Sequence, residues 1–206
     1  MTLEIGSYDR DEDLIAATLA DGEPRLRVYP HPGTAVVLGR GSKPGVELEV
    51  PACVADGVPV LRRRGGGCAV VLDPGNVIVS VTLPVAGIGD NHRHFERISD
   101  WLVAGLGRRG VQGLRRDGIS DLARGDRKVG GACIYRARGL LFYTASLLVS
   151  PEVALMERYL RHPPREPGYR RGRGHADFVD ALGRERGDAR RLAAELASVL
   201  DVAALT

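Results

Sequence analysis

Lysine is nearly missing from this chain. Of 29 basic residues only Lys43 and Lys128 are lysines, so arginine carries almost all the positive charge. Cysteine is scarce too: Cys53, Cys68 and Cys133 form no metal-spaced pair, and an odd count argues against a disulfide framework. The expectation is a reduced, cytoplasmic protein. Residues 77–85 and 140–149, the longest weakly polar stretches, fall far short of the roughly 18 residues a membrane span needs. The start of the chain runs into Asp9, Asp11, Glu12 and Asp13 with no apolar stretch behind a basic head, which argues against a signal peptide. Aromatic residues are only 5% and the net charge is +3. Both point to a solvated arginine-rich surface, with neither a nucleic-acid nor a membrane partner.

What is present fits a globular protein. The 206 residues suit a single domain spanning 1–206, with 44% hydrophobic and 27% charged residues. Asp9 and Glu12 resemble a capping arrangement before a helix over 14–19. Strands are expected at 25–29 and 34–38, then a loop at Lys43-Pro44-Gly45 ahead of 46–50. Residues 58–62 and 68–72 flank a glycine run, and a turn at Asp73-Pro74-Gly75-Asn76 leads into a β-branched strand over 77–83. The clearest helix is 94–109, with Phe95, Ile98, Leu102 and Leu106 on one face beside Trp101. A short strand at 119–122 precedes a hairpin of 128–135 and 140–149 around residues 136–139. Ser150-Pro151 reads as the cap of a helix over 152–160. A loop over 162–173 and helices at 176–182 and 188–200 complete the chain. The mixture predicts an α+β fold: a central mixed, mainly antiparallel sheet flanked by helices.

Two segments carry the chemistry. Arg62-Arg63-Arg64-Gly65-Gly66-Gly67-Cys68-Ala69-Val70 places guanidinium groups before glycines that let main-chain amides approach an anion. A glycine hairpin with solvated arginines is an equal alternative, and the spacing is that of neither a P-loop nor a dinucleotide fingerprint. In Arg127-Lys128-Val129-Gly130-Gly131-Ala132, a rare lysine heads a strand beside glycines that leave room for a ligand. A surface hairpin lysine is the plain alternative. The ammonium offers a compact charge that a guanidinium cannot.

In order and spacing, residues from about 30 to 180 resemble the catalytic domain of the lipoate–protein ligase family, relatives of biotin–protein ligases and octanoyltransferases. Arg62 through Asn76 matches the family's arginine–glycine motif without a gap, and Lys128-Val129-Gly130-Gly131-Ala132 matches its lysine motif. Val37-Leu38-Gly39-Arg40 with Lys43-Pro44 matches a further segment, and Ser120-Asp121 stands where the family usually has Asn-Asp. The resemblance implies a biotin/lipoate-ligase-like fold and a two-step reaction. ATP, with Mg²⁺, and lipoate or octanoate would give an acyl-adenylate, which a lysine of an acceptor lipoyl domain then attacks. Lys128 would be catalytic. ATP and lipoyl-AMP would be bound by Arg63, Gly66, Gly67, Cys68, Ala69, Val70, Val71, Asp73, Asn76, Asp121, Lys128, Gly130, Gly131 and Ala132. The chain ends without the accessory C-terminal domain many such ligases carry, so the catalytic domain is expected to work alone or with a separately encoded subunit.

Three positions depart from the family pattern: Cys68 replaces the last glycine of the run, Leu72 a histidine, and Thr144-Ala145-Ser146 a His-Gly-Thr. Two other functions therefore stay open. One is an ATP-independent octanoyl or lipoyl transferase using Cys133 or Cys68 as nucleophile; the other is a non-catalytic module that binds lipoate or a lipoyl domain. Cys133 otherwise reads as a buried structural thiol. His92 and His94 have metal-like spacing without a third ligand and read as a solvated helix start. Residues 169–178 could touch an acidic acceptor, or simply form a flexible loop.

Overall fold

The structure, a computed structural model, describes residues 2–87, 89–137, 139–183 and 188–206. Arg138 of the expected hairpin turn lies outside them. Among the described residues ten strands make two sheets. The larger runs β2 (Arg25–Pro30), β6 (Asn76–Pro84), β10 (Leu140–Leu148), β9 (Arg127–Ala137), β8 (Asp121–Arg124) and β7 (Leu114–Asp117), antiparallel throughout. The smaller runs β1 (Gly6–Ser7), β4 (Val60–Arg62), β3 (Ala35–Leu38) and β5 (Val70–Leu72). Among the described residues the parallel strand pairs lie in this second sheet, where β4 runs parallel to both β1 and β3. The expected α+β architecture is therefore present, with its mixed character gathered in the smaller sheet.

Alternation along β6 and β10 explains the layering. Val77, Val79, Val81, Leu141, Tyr143 and Leu147 pack against Ile98, Leu102 and Leu106 of helix α4 (Asn91–Arg108) and against Leu192 and Leu196 of α7 (Asp188–Val199). The α4 stripe is the one its sequence predicts. Ile78, Ser80, Thr82 and Phe142 between them are buried as well, so much of these strands is covered on both sides. On that second side Thr18 of α1 (Glu12–Asp21) shares a hydrogen bond with Thr82 at 2.7 Å. Among the described residues no helix is long and apolar enough to cross a membrane.

Several local expectations shift. Asp11, not Asp9, is the residue before α1, and its buried carboxylate accepts from Ser80 (2.7 Å) and Tyr29 (3.1 Å) instead of capping the helix. The loop expected at 43–45 is the start of a helical turn, α2 (Pro44–Glu47), because Pro44 takes the first-turn position where its missing N–H costs nothing. A second short helix, α3 (Val50–Asp56), follows and closes on Gly57 at φ 61°. The helix after Ser150 starts later, as α5 (Val153–Tyr159). Helix α6 stops at Phe178 (His175–Phe178), because Val179 bridges to Lys128 and the N–H of Asp180 donates to the Lys128 carbonyl at 2.8 Å. The strand expected at 119–122 begins at Asp121 and pairs with β7, an arginine-rich strand its sequence hides.

Candidate active site

Both chemical segments open on one cavity of about 640 Å³. The glycine run contributes Arg63 and residues 66–71, and the lysine segment contributes Lys128 and residues 130–132, with Asp121 beside them. Asp73 and Asn76 are not in its lining. Their polar groups close the turn between β5 and β6 instead: the Asp73 N–H donates to Asn76 Oδ1 at 2.8 Å, while the Asp73 carboxylate accepts from the N–H of Gly75 (2.6 Å) and Glu152 (2.9 Å). They belong to the frame behind the cavity and not to its lining.

The three arginines before the glycines also act differently from a phosphate fork. Arg63 donates to the carbonyls of Val37 (3.0 Å), Gly66 (2.7 Å) and Cys68 (2.9 Å). Arg62 holds the carbonyls of Gly39, Arg40 and Ser42, and Arg64 pairs with Glu12 at 2.5 Å. The guanidinium groups therefore brace the loop. Its carbonyls turn toward Arg63, while among the described residues the N–H groups of Gly66, Gly67 and Cys68 donate to nothing. Unbonded amides on glycines at a cavity wall are what an anion cradle requires. Gly67 sits at φ 91°, and a Cβ on Gly39 would fall 1.9 Å from the Gly67 carbonyl, so both glycines are needed by the backbone.

Glu47 is a lining residue that sequence reasoning missed. Its buried carboxylate accepts from the N–H of Ala69 (2.6 Å) and the hydroxyl of Ser42 (3.0 Å), fastening α2 to the exit of the glycine loop. A glutamate in a short turn gives no pattern to search for; only the fold brings it to the loop.

Across the cavity, Lys128 Nζ donates to Asp121 Oδ1 at 2.7 Å, and the Tyr169 hydroxyl donates to Asp121 Oδ2 at 3.0 Å. Burial and the neighbouring Asp121 charge raise the Tyr169 phenol far above its ordinary value, so it stays a donor. The register passes from Leu122↔Gly130 to Ala123↔Lys128, leaving Val129 as an extra residue in β9. This bulge re-aims Lys128. Its stem lies over Gly131, where a Cβ would approach Nζ to 2.9 Å. The second glycine of the motif is thus room for the lysine itself.

Thiol chemistry finds little support. Cys133 is buried against Gly65, and burial pushes its thiol up, away from the nucleophilic thiolate, with Arg63 only partly opposing this. The Cys68 thiol points to the Arg165 carbonyl at 3.7 Å. Among the described residues no three His, Cys, Asp or Glu side chains gather as a metal site, and the Glu47 and Asp121 carboxylates are each engaged by protein donors. This donor set does not fit a resident Mg²⁺.

Residues 8–195 match the model of the lipoyl protein ligase A/B catalytic domain. The chain belongs to that family. Among its relatives is a protein of Aeropyrum pernix provisionally named lipoate-protein ligase A, 33% identical over 141 residues, which are 68% of this chain and 52% of that protein. The lipoate-protein ligase A of Psychrobacter cryohalolentis is 29% identical over 153 residues, 74% of this chain and 43% of that protein. The chain thus spans about half the length of these relatives. Its fold is shared with a bipartite lipoate protein ligase of Thermoplasma acidophilum (TM-score 0.73, 21% identity, 96% of this chain and 82% of that one). A lipoate-protein ligase A solved with ATP has the same fold (TM-score 0.69, 22% identity, 97% and 86%). The two segments that resemble this family's motifs both line the cavity described above.

Proposed function

We propose that the chain is the catalytic unit of an ATP-dependent lipoate–protein ligase acting on lipoate or octanoate. The observation that carries this reading is Lys128, held by Asp121 over a glycine, facing a loop of unbonded amides across one cavity. The relatives' names and the ATP-bound neighbour support it. The acyl carboxylate would attack the α-phosphorus of ATP and expel pyrophosphate. Lys128 would neutralise the charge on the reacting carboxylate and phosphate oxygens, and the amides of residues 66–68 would hold phosphate oxygens. Asp121 orients the ammonium until a substrate competes for it. In the second step an acceptor lysine amine would attack the acyl carbonyl and release AMP. Mg²⁺ would enter on the nucleotide's phosphates, as part of the substrate.

The apolar side of the cavity, with Val71, Ile78 and Leu148, would take the acyl chain and exclude water from the adenylate. The acceptor would be a lipoyl domain, as the pairing of the Thermoplasma ligase with an E2 lipoyl domain suggests, and residues 1–206 would act as one catalytic domain. A separately supplied accessory part is also proposed, on the analogy of that ligase's bipartite build. Lipoate-dependent ATP–pyrophosphate exchange tests the whole reading. Absence of exchange with lipoate and octanoate, with a candidate accessory subunit present, would overturn it. ATP-independent transfer blocked by Cys133→Ser would replace it with a transferase.

A further inference from the structure

Arg170 lies on the cavity wall, in the arginine-rich segment of residues 162–173, and the fold leaves its charge half-used. It is 5% exposed. Nε donates to the Arg173 carbonyl at 2.9 Å, and the guanidinium rests 4.8 Å from the centre of the Phe178 ring. Nη2 is fully buried and has no hydrogen-bond partner among the described residues. The carboxylates around it are committed elsewhere. Glu166 lies 3.6 Å from Nε but is shared with His162 and the N–H of Gly172. Asp121 serves Lys128 and Tyr169, and Glu157 serves His175 and the N–H of Ala176. Burial accordingly pulls the Arg170 guanidinium below its ordinary value.

A buried cation with an unused donor is costly unless something else supplies the acceptor. The cavity is where that acceptor can enter. This segment meets the glycine loop, since the Cys68 thiol reaches the Arg165 carbonyl, and the free amides of Gly66, Gly67 and Cys68 lie on the same lining. A planar guanidinium with free terminal nitrogens matches the oxygens of a phosphoryl group.

We propose that Arg170 is the phosphoryl clamp of this cavity, its guanidinium taking an oxygen of a phosphate group held between the two loops. The proposal rests on the reading that the cavity accepts ATP, whose α-phosphate or departing pyrophosphate could be the group held.

Titration calorimetry with pyrophosphate, AMP and octanoate on the intact chain, alongside its thermal midpoint, tests this. Arg170→Met should weaken pyrophosphate, AMP or both by at least tenfold and leave octanoate within threefold. The phosphate compound affected identifies the group. Arg170→Lys, which keeps the charge but loses the fork, should recover part of the affinity, and it carries the test if the methionine variant does not fold. Without ligand, the Arg170→Met midpoint reports whether the variant folds, since the substitution removes the unpartnered Nη2 together with the Nε bond, the Glu166 ion pair and the Phe178 contact. Unchanged phosphate affinity, a loss confined to octanoate, or no binding of either phosphate compound by the parent would each overturn the proposal. Arg170-dependent pyrophosphate binding without lipoate-dependent exchange would remove the ligase reading and leave this one. Normal exchange with Arg170-independent binding would do the reverse.

Discussion

Arg63 and Arg170 lie on the same cavity, one before the glycine run and the other in the later arginine-rich segment. Arg63 donates to the main-chain carbonyls of Val37, Gly66 and Cys68; among the described residues the Arg170 guanidinium makes one hydrogen bond, through Nε, beside a looser ion pair with Glu166. The first is a cross-brace whose job is finished on folding. The second is a buried charge waiting for an acceptor. Residue type and nearness to a glycine motif do not separate the two roles. Counting what each guanidinium already holds does.

The sharpest break of this comparison concerns neither arginine but the cation between them. Lys128→Arg should lower lipoate-dependent exchange on the order of 10²–10³-fold, the cost of a lost preorganised donor, because the larger fork cannot occupy a point-charge position over Gly131. Near-normal turnover would show that Lys128 supplies charge alone. Arg63→Met should destabilise by about 1–3 kcal/mol, since carbonyls of a half-buried loop lose their donor. Denaturant melts measure this, and a variant as stable as the parent would dissolve the distinction from Arg170. Gly131→Ala should cost about tenfold in exchange with little change in the melt, because the added methyl meets the movable end of Lys128 rather than backbone.

The smallest effect concerns acid. Burial, with Arg170 beside it, holds the His175 imidazole below its ordinary value. The unfolded chain therefore takes up a proton near pH ~6.5 that the folded chain refuses. Stability is fully present above that pH and falls as pH drops below it toward the folded value. His175→Gln should flatten this acid limb by under about 1 kcal/mol, a limb to which buried His31 also contributes. An unchanged slope in melts between pH 7 and 5 would remove His175 from the account.

How much of this was legible beforehand depends on whether a signal was local. The α4 stripe, the β6 and β10 strands and the two glycine motifs are written in short stretches of residues. The structure brings the motifs to one cavity, as their resemblance to ligases implies. Asp73 and Asn76 were grouped with the ligand-binding residues because they continue the motif in sequence, yet they turn away into the β5–β6 corner. Glu47, Tyr169 and Arg170 were missed as site residues for the opposite reason. Each is an ordinary polar residue whose importance comes from a partner far along the chain: Ala69 for Glu47, Asp121 for Tyr169, and for Arg170 a partner the chain does not supply. The short helix α3 was likewise unreadable, since seven residues carry too little periodicity.

The extra residue at Val129 acts as a phase shifter in β9. Before and after it the strand keeps its two-residue beat, but the halves are out of step. One strand can thereby send Val129 into the core while Lys128 and Gly131, three positions apart, meet on the cavity side. Without the bulge an unbroken beat would put lysine and second glycine, three positions apart, on opposite faces. The spacing of the lysine motif is in this sense a timing constraint: three positions suit this site only because the strand carries one extra residue.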